Sequence, residues 1–242
     1  MEIIPLHWDS DFFGLRIAKA VVASKEDIAT LSRQESDLQS HFDLIYLFSE
    51  PGLDIPFDGA RLVDSKAVFS ANGLSQSAAC PAVVRWESQE TSESLISLAL
   101  VSGKYSRFKT DPQFPAGSYE RLYTRWIEQS VNGSIATDVF CYMVEDCPRG
   151  LLTLDRHDEK NVIGLVAVDE NCQHQGIGTA LVKHAISYVH KQQGNRLRVA
   201  TQLVNGPACR LYSRCGFSLE SVMKIWHWWL YKRLIRDGCG WP

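Results

Sequence analysis

Between positions 119 and 130, apolar side chains recur three and four residues apart at Tyr119, Leu122, Tyr123, Trp126 and Ile127, and Ser130 closes the row. That spacing predicts an amphipathic helix with one mostly apolar face. A second row of Ile177, Ala180, Leu181, His184, Ala185 and Tyr188 predicts another helix with this stripe buried. Apolar runs of strand length predict strands at 15–22, 44–48, 61–69, 82–86, 136–144, 151–155, 162–168 and 196–202. The segment 217–231 contains at least one long strand. Ser24 followed by Asp27 gives a cap-like start for a helix reaching about His41. Two more helices are predicted at 92–103 and 207–214. Runs of strands followed by alternating helix and strand predict an α/β (α+β) fold, with a mixed, largely antiparallel sheet flanked by helices.

Residues 70–81 are small, polar and turn-rich, which places a boundary near residue 80. The expected organisation is a β-α-β-β lobe over 1–80, too small to bury a good core alone, and a main domain over 81–242. Composition changes this picture little. Of 242 residues, 45% are hydrophobic and 22% charged, as in ordinary soluble globular proteins. A net charge of -3 offers no broad attraction for nucleic acid. Neither a signal peptide nor a membrane span is expected. Seven cysteines without a Cys-x-x-Cys pair fit free thiols and a cytoplasmic location better than a disulfide framework or a zinc site.

Candidate chemistry concentrates at 165–181. A strand there feeds a short loop, and the loop opens a helix at Gly176 and Gly178. Glycines let backbone N–H groups approach an anion, and a helix start adds orphan donors and partial positive charge, which suits a pyrophosphate. Tight packing alone explains a lone Gly-x-Gly turn equally well. No Gly-Lys-Ser/Thr follows, so the loop is not of Walker type, and the third spaced glycine of a dinucleotide fingerprint is missing.

A second segment accompanies it. Asn205, Ala208, Leu211, Tyr212, Gly216 and Phe217 follow Asn-x-x-Ala-x-x-Leu-Tyr-x-x-x-Gly-Phe, and Gln173, Gly176 and Gly178 follow Gln-x-x-Gly-x-Gly. In this order, one helix and one strand apart, the two resemble the GNAT superfamily of acyl-CoA N-acyltransferases. The resemblance implies a GNAT-type sheet over roughly 82–231, acetyl-CoA as cosubstrate and no metal. It implies that the strand through Val166, Ala167 and Val168 pairs with the pantetheine amides. The amides of His174, Gln175, Gly176, Ile177, Gly178 and Thr179, with Gln173, would hold the pyrophosphate. Asn205 would approach the pantetheine arm, and Tyr212 would sit near the thioester sulfur. Independently, a phenol with pKa near 10 is protonated at neutral pH and able to donate a proton to a departing thiolate. The bland alternative is that Tyr212 packs on the sheet like any helix aromatic. The base that relieves the amine of its proton stays unassigned among Glu145, Asp155, His157 and Asp158.

Further segments resemble a narrower bacterial group within that superfamily, the TDP-fucosamine acetyltransferases, which act on the 4-amino group of a TDP-linked 4-amino-4,6-dideoxygalactose. They are Trp8…Phe12-Phe13-Gly14, Ser106-Arg107-Phe108, the helix of Tyr119, Tyr123 and Trp126-Ile127-Glu128, and the Arg-Val-Ala-Thr-Gln run at 198–202. For such an acceptor, Arg107 and Lys109 would serve the phosphates, and Phe108 or Tyr105 would stack on the base. Phe12 and Phe13 read equally as core anchors, and Arg107 as a surface ion-pair partner. His174 departs from the small or basic residue usual at its place. The aromatic run 226–231 and the tail to Pro242 could alter the acceptor pocket or form a homodimer surface. Another amine acceptor (a protein N-terminus, a polyamine or an antibiotic) and a CoA-binding module without turnover remain alternatives.

Overall fold

The structure is a computed structural model that describes residues 1–76, 80–157 and 160–230. Its elements run in chain order as β1 (Ile3–Pro5), α1 (His7–Phe13), β2 (Ile17–Val22), α2 (Lys25–His41), β3 (Leu44–Ser49) and β4 (Ala60–Asn72). Next come β5 (Val83–Arg85), α3 (Glu93–Ser102), α4 (Arg107–Thr110), α5 (Ser118–Val131), β6 (Asp138–Val144) and β7 (Cys147–Asp155). The last are β8 (Val162–Val168), α6 (Ile177–Lys191), β9 (Arg196–Gln202), α7 (Gly206–Arg214) and β10 (Ser218–Trp229). The expected mixed α/β fold with mostly antiparallel pairing is what forms.

Local signals were obeyed where they were complete. Ser24 Oγ accepts the Asp27 N–H, and the Asp27 carboxylate accepts the Ser24 N–H, the reciprocal box expected at the start of α2. Ser92 caps α3 one-sidedly, its side chain accepting the Leu95 N–H. On α6, Ile177, Leu181 and Ala185 are buried as predicted, while Ala180, His184 and Tyr188 are only half-buried. The Tyr188 hydroxyl donates to the buried Asp138 carboxylate at 2.8 Å, which holds its polar end away from the core.

Two compact units divide the chain, and β4 and β10 each begin in one unit and end in the other. The first comprises Met1–Ser65, Asp111–Pro115 and, among the described residues, 223–230. Its strands lie in the order β1-β2-β3-β10, with β2 and β3 parallel and the other neighbours antiparallel. The N-terminal elements reach a core only with chain from the far end: Trp226 and Trp228 pack with Ala18, Ile45, Leu47 and Leu31. That use accounts for Trp226 and Trp228, while His227 and Trp229 meet Asp111 and Phe114; position 231 lies outside the described residues. Phe13 is buried as a core anchor against Phe114, whereas Trp8 stacks on Phe12 and is half exposed.

The second unit comprises Lys66–Thr110 and Ala116–Val222, with strand order β4-β9-β8-β7-β6-β5. Among the described residues there, β8 and β9 pair in parallel and the other neighbours antiparallel. The stretch at 70–81 begins on the last three residues of β4 and lies inside this unit, and residues 77–79 are outside the described ones. Phe69, Phe140, Leu152, Leu154, Ile163, Leu181, Tyr212 and Phe217 share its core.

Candidate active site

The parallel pairing of β8 with β9 stops early. Val162 faces Arg198 and Ile163 faces Val199, and no later residue of β8 is paired to β9 among the described residues. The cause lies on the other side of β8. Its register against β7 shifts by one between Leu154↔Ile163 and Leu152↔Val166, so Gly164 and Leu165 together oppose Thr153. One extra residue bends a strand and raises its local twist. Gly164 is required at this bulge, because a Cβ there would lie 2.7 Å from Thr153 Oγ1. The buried Thr153 hydroxyl in turn accepts the Leu165 N–H at 2.8 Å.

Beyond the bulge, the Leu165 N–H and the Asp169 N–H both point at β7; Asp169 donates to the Arg149 carbonyl at 2.9 Å. Backbone direction alternates along a strand, so the amides of Val166 and Val168 face away from β7, toward the side from which β9 has diverged. The two strands therefore enclose a slot with its apex at Gly164, which is exposed. An extended ligand adds to an open edge of this kind as an extra strand does.

At the mouth of the slot the chain turns through Asp169, which caps a short 3-10 turn at Glu170–Cys172. The Asp169 carboxyl is held below the usual range by the Asn171 N–H and by Arg149, 2.8 Å away. Gln173 Nε2 donates back to the Val168 carbonyl at 3.4 Å. The backbone is left-handed at His174 (φ 63°) and at Gly176 (φ 83°), the N-cap of α6. Gly176 has no side chain to cap the helix, so the N–H groups of Ile177, Gly178 and Thr179 start α6 without intrahelical acceptors. Residues 173–176 are exposed. This is an anion cradle of backbone donors. Gly178 serves packing as well: a Cβ there would meet Leu211 of α7 at 3.2 Å.

Asn205 caps α7 by accepting the Ala208 N–H at 3.2 Å, and its amide donates to Thr201 Oγ1 at 3.4 Å. Tyr212, on α7, is buried, with its ring 5.9 Å from Phe69 and 5.9 Å from Phe217. Phe69 pairs with Val199, and Val199 pairs with Ile163, so Tyr212 stands level with the apex of the slot. Burial pushes its phenol well above the ordinary value, so the group is a proton donor throughout the neutral range.

The remaining expected residues are more scattered. Tyr105, Arg107 and Phe108 are half-buried around α4, a four-residue helix that the hydrophobic pattern did not reveal. The Arg107 guanidinium lies 4.7 Å above the Phe108 ring. Lys104, just before them, pairs with Glu170 at 3.7 Å, which brings this segment to the turn after β8. Of the four base candidates, Glu145 lies in the β6–β7 hairpin turn at positive φ, and Asp158 is outside the described residues. Asp155 is 2.6 Å from His157 Nδ1 and shares a face of β7 with Thr153, two residues before it. A cleft of about 400 Å³ beside the turn after β8 is lined by Glu93, Asp169 and Glu170 against Arg149, an acidic balance unsuited to a dianionic ligand. Among the described residues no group of His, Cys, Asp and Glu is arranged to hold a metal, and no helix is long and apolar enough to cross a membrane.

Sequence reasoning passed over the bulge. Its signal was a lone glycine inside an apolar strand, which marks a bulge or a close approach.

Residues 105–217 match the model of the acetyltransferase (GNAT) family. The chain is 28% identical to the dTDP-fucosamine acetyltransferase of Escherichia coli O6:H1, across 96% of this chain and 98% of that protein. It is also 28% identical to the spore coat polysaccharide biosynthesis protein SpsD of Bacillus subtilis, over 57% of this chain and 47% of that one. Among solved structures, a GCN5-related N-acetyltransferase from Sphaerobacter thermophilus aligns with a TM-score of 0.57 at 11% identity, covering 93% of this chain and 75% of its own. That last likeness concerns the fold.

Proposed function

The chain carries a GNAT acetyltransferase domain and is an N-acetyltransferase, and from that premise we propose that it acetylates the 4-amino group of a TDP-linked amino-deoxy sugar in the cytoplasm, for surface polysaccharide. The observation that carries the coenzyme half of this reading is the early end of β8–β9 pairing at Ile163↔Val199, with the uncapped start of α6 at the mouth of the resulting slot. Acetyl-CoA fits both parts. Its linked phosphates suit the donors from His174 to Thr179, with Gln173 bracing the turn, and its amide-bearing arm suits the open backbone of Val166 and Val168 around Ala167. With the phosphates at the mouth, the acyl end lies toward the apex, level with Tyr212. Asn205 holds α7, and hence Tyr212, in place through its cap.

The reaction at the apex is aminolysis. The amine nitrogen attacks the thioester carbonyl carbon, the C–S bond breaks, and the sulfur leaves as a thiolate. Tyr212 gives its proton to that sulfur and is reprotonated at the expense of the proton that the new amide nitrogen sheds. What supports the sugar nucleotide as acceptor is the name of the relative that spans 98% of its own length with this chain, together with the cationic Arg107 and Lys109 and the aromatic Phe108 and Tyr105 around α4.

A thiol-release assay tests the whole reading. Acetyl-CoA with a TDP-4-amino-4,6-dideoxyhexose is expected to yield free CoA and an acetamido sugar in equal amounts. Turnover on peptides or polyamines and none on nucleotide sugars would transfer the activity to another amine.

A further inference from the structure

The apex of the slot has two faces. Tyr212 covers the face shared with α6 and α7. On the opposite face, a Cβ built on Gly164 would lie 3.9 Å from the indole Nε1 of Trp126. Thr153 lies on this second face as well, 2.7 Å from the same point. Trp126 is unusual on α5. Tyr119, Leu122, Tyr123, Ile127 and Ser130, its partners in the apolar row, are all buried, while Trp126 is only half-buried. Among the described residues its indole N–H makes no hydrogen bond, although Trp N–H groups usually find a partner when they are enclosed.

Its placement is rigid. Tyr123 lies 5.6 Å from the Trp126 ring and Tyr119 lies 5.0 Å from Tyr123, an aromatic ladder along α5. The ladder is fixed to α3 at both levels. The Tyr119 hydroxyl donates to the Leu100 carbonyl, and burial pushes that phenol up to about 12. The Tyr123 ring fills the space where a side chain at Gly103 would be, within 2.4 Å of a Cβ there. A large, immobilised aromatic with an open edge, set against the exposed glycine at the apex, has the form of a binding wall rather than of a core residue.

We propose that Trp126 is the positioning and specificity residue for the acceptor: its ring receives the apolar C–H face of the sugar, and its indole edge borders the acetyl end of the coenzyme. The inference rests on the acetyltransferase reading above and extends it to a residue that the coenzyme motifs do not include. The amine then approaches the thioester carbon from the α5 side, while the sulfur departs toward Tyr212 on the other. An acceptor whose ring presents a face of C–H bonds is favoured over a flexible linear amine, which has no face to lay on the indole.

Kinetics and one spectroscopic signal test this. With acetyl-CoA and a TDP-4-amino-4,6-dideoxyhexose, Trp126→Ala is expected to raise the acceptor KM roughly tenfold or more, the size of one lost aromatic contact. Trp126→Phe, which keeps a ring and loses the N–H, is expected to raise it by about a third of that factor. The KM for acetyl-CoA should stay within about twofold in both. Unchanged acceptor KM in the Ala variant, or an equal rise in the acetyl-CoA KM, overturns the proposal. The indole N–H resonance of Trp126, assigned by its disappearance in Trp126→Phe, should move more with acetyl-CoA than with CoA. A resonance indifferent to the acetyl group also overturns the proposal, whatever the acceptor is. If instead that resonance responds and no nucleotide sugar is turned over, the acceptor assignment falls while the place of Trp126 at the apex stands.

Discussion

Replacing Tyr212 with phenylalanine is expected to lower kcat by roughly 10²- to 10⁴-fold, the usual contribution of a positioned acid, and to leave the affinity for CoA unchanged. The separation follows from how the ring packs. The ring packs between Phe69 and Phe217, and phenylalanine preserves that packing. On the proposed reading the coenzyme's phosphates rest on backbone donors at the start of α6, which the substitution does not touch. Only the step in which sulfur acquires a proton loses its donor. Because burial raises the phenol above its ordinary value, the acid form persists through neutral and mildly alkaline pH. The wild-type rate is therefore expected to show no decline from Tyr212 ionisation below about pH 10. Stopped-flow or steady-state thiol release, paired with a CoA titration, measures both quantities. An unchanged kcat in the phenylalanine variant removes Tyr212 from the chemistry and leaves it a packing residue.

The second large effect is on stability. Asp111 is 3% exposed, and its carboxylate accepts from the Trp229 indole at 2.9 Å and the Gln113 N–H at 3.1 Å, with His227 Nδ1 at 2.5 Å. His227 is itself fully buried. Asp111→Ala takes the shared acceptor from the buried His227 and from the Trp229 indole. Breaking a buried pair from one side costs about 3–5 kcal/mol, which for a chain of this size lowers Tm by roughly 6–20 °C. Burial raises the carboxyl, but the His227, Trp229 and Gln113 hydrogen bonds outweigh it and hold the group below the usual range. A depressed folded-state value stabilises above the unfolded value of about 3.9 and loses that contribution as pH falls through the folded one. The Tm difference between wild type and Asp111→Ala should thus be full at neutral pH and narrow below about pH 4. Thermal unfolding of the two proteins across that range checks it; equal Tm at pH 7 contradicts it.

Several elements in both units were legible because their signals are local. The Ser24–Asp27 box, the strands 162–168 and 196–202, and the donor-rich glycine turn before α6 each depend on residues within a few positions of one another. The Asp111–His227 pair spans 116 positions, and nothing near either residue announces the other. The same holds for the recruitment of Trp226 and Trp228 into a core with α2, β2 and β3. β1, α1 and α4 were missed for another reason: three, seven and four residues are too few to establish a period. Trp126 was readable as one member of an apolar helical row, but its position near Gly164 depends on how α5 packs on α3, which itself lies on β7 and β8, and a one-dimensional pattern carries no such information.

The measurement closest to the centre of this account is a calorimetric titration of the purified, folded protein with CoA. Saturable one-to-one binding is predicted, retained in Tyr212→Phe and lost in Gly176→Val, whose side chain the φ of 83° at that position disfavours. Folded protein that gives no heat with either CoA or acetyl-CoA would contradict the assignment of the slot and of the turn at its mouth.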